Sequence, residues 1–145
     1  MLREKPTELF VDGIRELLAE GLPVVFKAKG NSMLPFIRGG QDEVRLVRPV
    51  AVAEGDILLC EVSEKQYVLH RLIRQEGDCL ILMGDGNLYG TESCKREDVI
   101  GKVVKIIRGG KAIDCRNRSY RWASAFWVKL LPLRRVLLKL YRILS

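Results

Sequence analysis

The sequence predicts a mainly β domain, a barrel-like or sandwich arrangement of antiparallel strands, with an N-terminal amphipathic helix and a C-terminal basic amphipathic helix. Short runs rich in β-branched residues recur through residues 22–115, separated by Gly, Asp and Asn. The intervals between these runs hold almost no segment of helix length, which favours antiparallel meanders over a parallel α/β sheet. A chain of 145 residues, 48% of them hydrophobic, suits one domain with its own core.

The first predicted element is an amphipathic helix within residues 1–21. Its apolar residues recur at helical spacing and are Phe10, Ile14, Leu17 and Leu18. Thr7 is suited to cap the start of this helix, and Gly21 is suited to end it.

The β domain is expected to span residues 22–115. Its predicted strands are "PVVFKA", "EVRLV", "DILLCEV", "YVLHRLI", "CLILM" and "VIGKVVKII". The turn-forming segments between them include "AEGD", "QEGD" and "GDGN". Strands at such close spacing predict a meander that closes into a barrel or a sandwich.

The remaining residues, 116–145, form a basic tail. They hold 8 of the 25 basic residues and no acidic residue, which leaves 17 basic against 18 acidic residues in the rest of the chain. Because nucleic-acid-binding domains usually carry their basic residues on the folded face, nucleic acid is not the expected partner. After Pro132 the apolar residues follow helical spacing and are Leu133, Val136, Leu137, Leu140, Tyr141 and Leu144.

The apolar stripe of this tail permits three arrangements. It packs on the domain, forms a dimer interface, or lies in a membrane interface with its cations near anionic lipid. Trp122, Phe126 and Trp127 precede the stripe, and aromatic residues of this kind favour the membrane interface. Residues 120–145 are therefore a candidate surface for an anionic membrane, and the oligomeric state stays open.

Composition also bears on cofactors and location. The cysteines are Cys60, Cys79, Cys94 and Cys115, with no C-x-x-C pair and one histidine in the chain, so a zinc site is not expected. The first ten residues show neither a secretory signal nor a membrane span. We therefore expect a cytoplasmic protein with reduced thiols, peripheral at the inner membrane surface if the tail binds lipid.

The segment "KGNSMLPF" places Ser32 between residues that restrict the backbone. Gly30 permits a positive φ or a close backbone approach, and Pro35 fixes its own φ and biases Leu34 toward an extended conformation. Such a segment presents Ser32 in a fixed position. The hydroxyl is then either a turn residue that bonds its own backbone or a nucleophile that needs a nearby base.

The base, if there is one, is expected to be His70, the single histidine of the chain. In "YVLHRLI" it shares a strand face with Val68 and Leu72. A neutral imidazole there can accept a proton from serine, although a half-buried histidine in a strand is also a common structural residue. Asp85, in "MGDGN", is the candidate acid that would orient the imidazole, and Asp-Gly is equally typical of a hairpin turn.

The motifs "GNSMLP", "EGDILL", "YVLHRLI", "MGDGN" and "VIGKVV", in this order, resemble the superfamily of serine peptidases that holds type I signal peptidases and LexA-like repressors. The resemblance covers about residues 22–108. It implies that Ser32 is the nucleophile and His70 the base. It also implies that Met33, with Gly30, helps to form the substrate cleft, and that an extended peptide pairs with a strand edge beside the serine.

The resemblance is to the branch of the superfamily that uses histidine rather than lysine as the base. That branch carries a further acidic pair after the Gly-Asp-Asn box, where this chain has Gly90, Thr91 and the adjacent Glu92. The third catalytic residue is therefore Asp85, Glu92 or neither, and we prefer Asp85.

Two departures limit what the resemblance implies. Signal peptidases carry a membrane span before the serine, whereas residues 1–31 offer only the amphipathic helix. LexA-like repressors cut themselves at a bond such as Ala-Gly, and no Ala-Gly dipeptide occurs here. We expect a serine endopeptidase that cleaves a leader or signal-like peptide of another protein by a Ser-His mechanism, without metal or organic cofactor. The alternative is a non-catalytic peptide-binding or regulatory module that retains the peptidase fold.

Overall fold

The computed structural model describes residues 8–30, 32–87, 90–130 and 133–144. These residues form an eight-stranded sheet of antiparallel pairs with one helix before it and two after it, which confirms the expected fold class. The elements are α1 (Glu8–Ala19), β1 (Val24–Lys27), β2 (Glu43–Val47), β3 (Ile57–Ser63), β4 (Gln66–Glu76), β5 (Cys79–Met83), β6 (Glu92–Lys95), a 3₁₀ turn (Arg96–Asp98), β7 (Val99–Arg108), β8 (Lys111–Asp114), α2 (Arg118–Lys129) and α3 (Arg134–Leu144).

Strand β7 joins the two halves of the sheet because it pairs with β2, β3 and β8. On one side β1 continues the sheet beyond β2, and on the other β4, β5 and β6 follow β3 in order. Strand β6 also lies against β3, which is not its hydrogen-bonded neighbour. The β3–β6 half therefore curls back on itself in a barrel-like manner.

Strand β3 is buried on both faces. Ile57 and Leu59 belong to one apolar cluster, and Leu58 and Cys60 belong to a second. Because successive side chains of a strand point to opposite faces, the two clusters lie on the two sides of β3. The first also contains residues of α1, β2 and β7, and the second contains residues of β4, β5 and β6. Burial on both faces accounts for the continuous apolar run in "DILLCEV".

Helix α1 packs on the sheet with a face shifted slightly from the expected one. Its buried residues are Val11, Ile14 and Leu18. Phe10 and Leu17, which we expected in the stripe, are 45% and 42% exposed. Phe10 instead stacks on Phe26 of β1, with ring centroids 5.6 Å apart. Gly21 has a φ of +82° and follows the last turn, as a C-terminal glycine does, whereas Thr7 lies outside the described residues.

Two of the strands were not predicted. Strand β6, "ESCK", and strand β8, "KAID", are each four residues long and at least half polar, so neither shows the β-branched pattern that marks the other strands. Each is held by a long neighbour, β6 by β5 and β8 by β7. Their backbone pairing, and not their side-chain pattern, defines them.

The basic tail forms two helices that pack differently. In α2, Tyr120 packs against the first apolar cluster, and Arg121 lies 3.2 Å from the Asp56 carboxylate. In α3, Leu138 is buried. Most of the predicted stripe is at least half exposed, namely Leu133, Val136, Leu140 and Leu144. The tail thus packs on the domain through α2 and leaves apolar side chains of α3 in solvent, while Pro132 lies outside the described residues.

No helix within the described ranges combines the length and the apolar character that a membrane span requires.

A buried ion pair closes the segment that follows Ser32. The Asp42 carboxylate is inaccessible to solvent and accepts hydrogen bonds from the backbone N–H of Arg38 and from the Arg108 guanidinium, both at 2.8 Å. Arg108 also donates to the carbonyl oxygen of Phe36 at 3.0 Å. Burial alone would raise the pKa of Asp42, but these hydrogen bonds hold it below its ordinary value.

The depressed pKa predicts how stability depends on pH. Since Asp42 is more acidic in the folded than in the unfolded chain, its contribution is complete above the ordinary value near 4 and is lost as pH falls through the folded value. We expect Asp42→Asn to lower the free energy of unfolding at pH 7 by about 1.5–3 kcal/mol and to flatten its decline below pH ~4. Denaturant unfolding across pH 2.5–7 would measure both effects. Asp114→Asn, at the exposed pair with Arg116, is the control and should change little.

Candidate active site

Ser32 lies in a turn whose backbone depends on two glycines. Gly30 has a φ of +79°, which confirms the left-handed conformation that the sequence suggested. A Cβ added to Gly39 would lie 1.8 Å from the carbonyl oxygen of Gly30, so the two ends of the turn approach closely. Within the turn, the Ile37 N–H bonds the Met33 carbonyl at 2.9 Å. The Leu34–Pro35 peptide bond is cis.

His70 faces Ser32 from strand β4. It pairs with Leu58 of β3, is only 6% exposed, and places its Nε2 atom 3.1 Å from Ser32 Oγ. Its other ring nitrogen, Nδ1, lies 2.6 Å from Oε1 of Glu92 at the start of β6. The structure therefore brings together a hydroxyl, an imidazole and a carboxylate in one hydrogen-bonded series.

Asp85, our preferred acid, is not part of that series. Its carboxylate accepts two hydrogen bonds from Arg71, at 2.7 Å from Nε and 2.6 Å from Nη2. Arg71 directly follows His70 in β4, so their side chains point to opposite faces of the strand. An acid bound to Arg71 is consequently on the wrong face to orient His70. We correct the expectation: Glu92, not Asp85, contacts the imidazole.

The turn from Gly84 to Asn87 fastens the Ser32 segment to strand β5. The Gly86 N–H donates to the Ser32 carbonyl at 2.7 Å, and the Asp85 N–H lies 3.3 Å from Sδ of Met33. A Cβ added to Gly84 would stand 2.3 Å from the Ser32 carbonyl oxygen and 3.1 Å from His70 Nε2. Only glycine lets the turn approach this closely.

Met33 and Gly30 were predicted to help form a substrate cleft. Met33 is buried in the first apolar cluster, with its sulfur beside the Asp85 N–H, while Gly30 is exposed. The structure thus places Met33 beneath the turn that carries Ser32, as a support. Substrate binding by either residue stays a prediction.

Arg71 is fully buried, and each of its three side-chain nitrogens donates to a protein group. Besides Asp85, it donates from Nη1 to the Gly55 carbonyl at 2.8 Å and from Nη2 to the Tyr120 hydroxyl at 3.3 Å. Burial alone would lower the pKa of Arg71, but the Asp85 carboxylate outweighs burial and raises it. Burial raises the pKa of Tyr120 to about 12, so its hydroxyl is neutral in the physiological range.

Sequence reasoning missed the aromatic residues of α2 that surround this pair. The Trp127 indole N–H donates to the Asp85 carbonyl at 2.9 Å. Phe36 makes edge-to-face contacts with Tyr120 and Trp127, at centroid distances of 5.6 and 6.3 Å. The sequence signal was available, since Tyr120 and Trp127 are seven residues apart and so fall on one helix face. We had assigned both residues to a tail.

A groove of about 650 Å³ lies between α3 and the segment that follows Ser32. It begins at Leu34, two residues after Ser32, and neither Ser32 nor His70 lines it. Its lining residues are Leu34, Arg38, Gly39, Gln41, Tyr141, Arg142 and Leu144. The groove is therefore mainly apolar with two guanidinium groups at its wall.

The described residues also bear on metal binding. Within residues 8–30, 32–87, 90–130 and 133–144, no three His, Cys, Asp or Glu side chains converge as metal ligands. All four cysteines are free thiols. The hydrogen bond with Cys94, together with burial, raises the pKa of Cys60, which keeps that thiol protonated.

Comparison with known proteins gives one match. The family described as Peptidase S24-like matches residues 11–104, which is more than half of the chain. The matched segment runs from α1 into β7 and contains Ser32, His70, Arg71, Asp85 and Glu92. No curated protein matches the chain.

The two carboxylates next to the site should differ in their contribution to stability. Asp85→Asn leaves the buried Arg71 charge without its counter-ion, and we expect the free energy of unfolding to fall by about 3–5 kcal/mol. Glu92→Gln keeps a hydrogen-bonding side chain beside a partly exposed position and should cost much less. Denaturant unfolding of both variants measures the difference. Equal losses would contradict the separate roles that their contacts indicate.

Proposed function

Because the chain belongs to the Peptidase S24-like family, we propose that it is an active serine endopeptidase in which Ser32, His70 and Glu92 carry the reaction. The observation that supports this most directly is the hydrogen-bonded series from Ser32 Oγ through His70 to Glu92 Oε1. The family alone implies only a serine peptidase-like fold. Catalysis needs the nucleophile, the base and the orienting acid in contact, and these three residues are in contact.

The proposed reaction follows from these contacts. Ser32 Oγ attacks the carbonyl carbon of the scissile peptide bond while His70 Nε2 takes its proton. The Glu92 carboxylate accepts the hydrogen bond from Nδ1–H, fixes the tautomer of the ring and stabilises the imidazolium. Backbone N–H groups near Ser32 stabilise the oxyanion. The imidazolium then protonates the leaving amine, and a water molecule, deprotonated by His70, hydrolyses the acyl-enzyme.

We propose that the substrate is a leader or signal-like segment of another protein, bound in extended form. The lack of an Ala-Gly dipeptide in the chain favours cleavage of another protein over self-cleavage of the LexA-like kind. An extended peptide can pair with a strand edge through backbone hydrogen bonds. The mechanism needs neither a metal ion nor an organic cofactor.

The competing function is a peptide-binding or regulatory module without turnover. The short distance from Ser32 Oγ to His70 Nε2 favours the enzyme, because a module that only binds peptides needs no such contact. The two functions differ in the reactivity of Ser32. A serine-directed phosphonate probe measures this reactivity without knowledge of the natural substrate.

We expect the wild-type protein to react covalently with a fluorophosphonate, and Ser32→Ala to abolish the reaction. His70→Ala should slow the reaction by at least ~10³-fold, and Glu92→Gln by roughly 10²- to 10⁴-fold, since the Nδ1 hydrogen bond would be changed. The Ser32→Ala/His70→Ala double variant should be as unreactive as Ser32→Ala alone, because the nucleophile and the base act as one unit. Ser63→Ala, at the exposed end of β3, is the control.

Mass spectrometry of the labelled protein gives both the rate and the modified residue. An unlabelled wild-type protein that is folded would contradict the enzyme and support the binding module. Normal labelling of Glu92→Gln would remove Glu92 from the mechanism.

We also propose that the tail attaches the peptidase to an anionic membrane surface. The described part of the tail supports this with exposed apolar side chains on both helices, among them Trp122, Phe126, Val136 and Ile143. Exposed cations, Lys129 and Lys139, accompany them, and the tail contains no acidic residue. Apolar side chains that enter the headgroup region together with cations are typical of interfacial helices.

Vesicle binding tests this attachment. The protein should co-sediment with anionic vesicles, bind neutral ones less, and dissociate as salt rises. At about 1 kcal/mol per cation, Lys129→Gln with Lys139→Gln should weaken partitioning roughly 30-fold. The control pair, Lys27→Gln with Lys111→Gln, lies on exposed strand positions of the β domain. Equal binding to neutral and anionic vesicles, or none to either, would contradict the proposal.

A further inference from the structure

We infer that α2 is part of the catalytic unit, with Tyr120 and Trp127 as positioning residues for Ser32 and His70. The inference rests on the proposed peptidase function. Helix α2 begins at Arg118, beyond the residues 11–104 that the family model matches. Its contacts reach the turn that carries Ser32, strand β4 with His70, and the Gly84–Asn87 turn.

The first contact runs through Trp127. Its indole N–H holds the Asp85 carbonyl at 2.9 Å, within the turn whose Gly86 N–H holds the Ser32 carbonyl at 2.7 Å. The same turn touches Met33 through the Asp85 N–H. A displacement of this turn therefore acts on the Ser32 carbonyl and on the side chain of the following residue, Met33.

The second contact runs through Tyr120. Its hydroxyl accepts a hydrogen bond from Arg71, the residue after His70, and its ring lies 5.9 Å from the Arg71 guanidinium. Because Arg71 is buried and joined to the preceding residue, His70, by a planar peptide, its position constrains the backbone of His70. Tyr120 thus acts on the base as Trp127 acts on the nucleophile.

The third contact is that of Tyr120 and Trp127 with Phe36, which lies in the turn that follows Ser32. The rings of Tyr120 and Trp127 meet Phe36 edge to face, and the Arg71 guanidinium lies 4.8 Å above the Phe36 ring. Such aromatic and cation–π contacts depend on geometry and not only on buried area. One face of α2 therefore contacts the turn that carries Ser32, strand β4 with His70, and the Gly84–Asn87 turn.

Positioning matters because the proposed proton transfer from Ser32 to His70 tolerates little change in the distance between Oγ and Nε2. An error of 1 Å in a catalytic contact costs on the order of 10²-fold in rate. Trp127→Phe removes the indole donor but keeps an aromatic ring, so a loss of about tenfold in the maximal rate is expected while the affinity for the probe stays unchanged. A merely structural role would lower stability and leave the rate of the folded protein as it was.

The matched control is Trp122→Phe. Trp122 lies on the same helix, is 68% exposed, and stacks on Phe126 at a centroid distance of 5.2 Å. Because its side chain is largely in solvent, its replacement should leave the site unchanged. Tyr120→Phe is the second test variant, since it removes only the hydroxyl that Arg71 contacts.

The test uses two readouts, the NMR signals of the His70 ring and the rate of the probe reaction. His70 is the single histidine, so nitrogen-15 NMR of the imidazole reports the site without assignment work. We expect Trp127→Phe and Tyr120→Phe to shift the His70 ring signals at constant pH and Trp122→Phe to leave them in place. In the fluorophosphonate reaction, Trp127→Phe and Tyr120→Phe should lower the maximal rate, whereas Trp122→Phe should not. The half-saturating probe concentration should stay unchanged in all three variants.

The outcomes separate the two proposals. His70 signals and probe rates that match wild type in both test variants would overturn the positioning role, even if the variants were less stable. Equal shifts in Trp122→Phe would overturn it too. A wild-type protein that fails to react would refute the peptidase, and the NMR comparison would still decide whether α2 positions His70.

Discussion

The site depends on one buried ion pair, Arg71 with Asp85. Two charges taken out of water are tolerated only when their hydrogen bonds are complete, and here Arg71 finds acceptors in Asp85, Gly55 and Tyr120. The pair joins strand β4, which carries His70, to the turn that bonds the Ser32 backbone. Because the pair and His70 use opposite faces of β4, the ion pair sets the position of His70 without touching its imidazole. The Ser32–His70 distance is a consequence of this arrangement.

The fixed position of Ser32 has a different origin from the one its sequence suggested. Gly30 and Pro35 shape the turn locally, as expected, but local shape alone leaves the turn free to move as a whole. Two tertiary attachments hold it: the Gly84–Asn87 turn on the Ser32 side and the Asp42–Arg108 pair, with its bond to the Phe36 carbonyl, on the other. Local backbone restriction and distant clamps together present the hydroxyl.

The sequence predicts those features that local pattern determines. Strands with β-branched runs, the helix ended by Gly21, and the pairing of Ser32 with the single histidine could all be predicted, because each has a signal in its own segment. Which of Asp85 and Glu92 contacts His70 could not be predicted, since it depends on which face of β4 each acid reaches. Arg71 offered the missing clue: a basic residue in a buried strand needs a buried acid, and the acid of a tight turn is available for it. Strand β6, which carries Glu92, has too polar and short a sequence to be recognised before its pairing with β5 is known.

The composition of the tail does not show that its two helices differ in how they pack on the domain. Uniform positive charge and recurring aromatic and apolar residues suggested one amphipathic unit, yet the side chains of α2 that face the domain complete the surroundings of Arg71 and Asp85. Helix α3 buries Leu138, yet its apolar residues Val136, Leu140 and Ile143 are at least half exposed. An attachment made through α3 and through the outer face of α2 would leave the inner face of α2 in its place against the site. The surface that contacts a membrane and the surface that holds the active site would then be opposite faces of one helix, and attachment would not require the site to open.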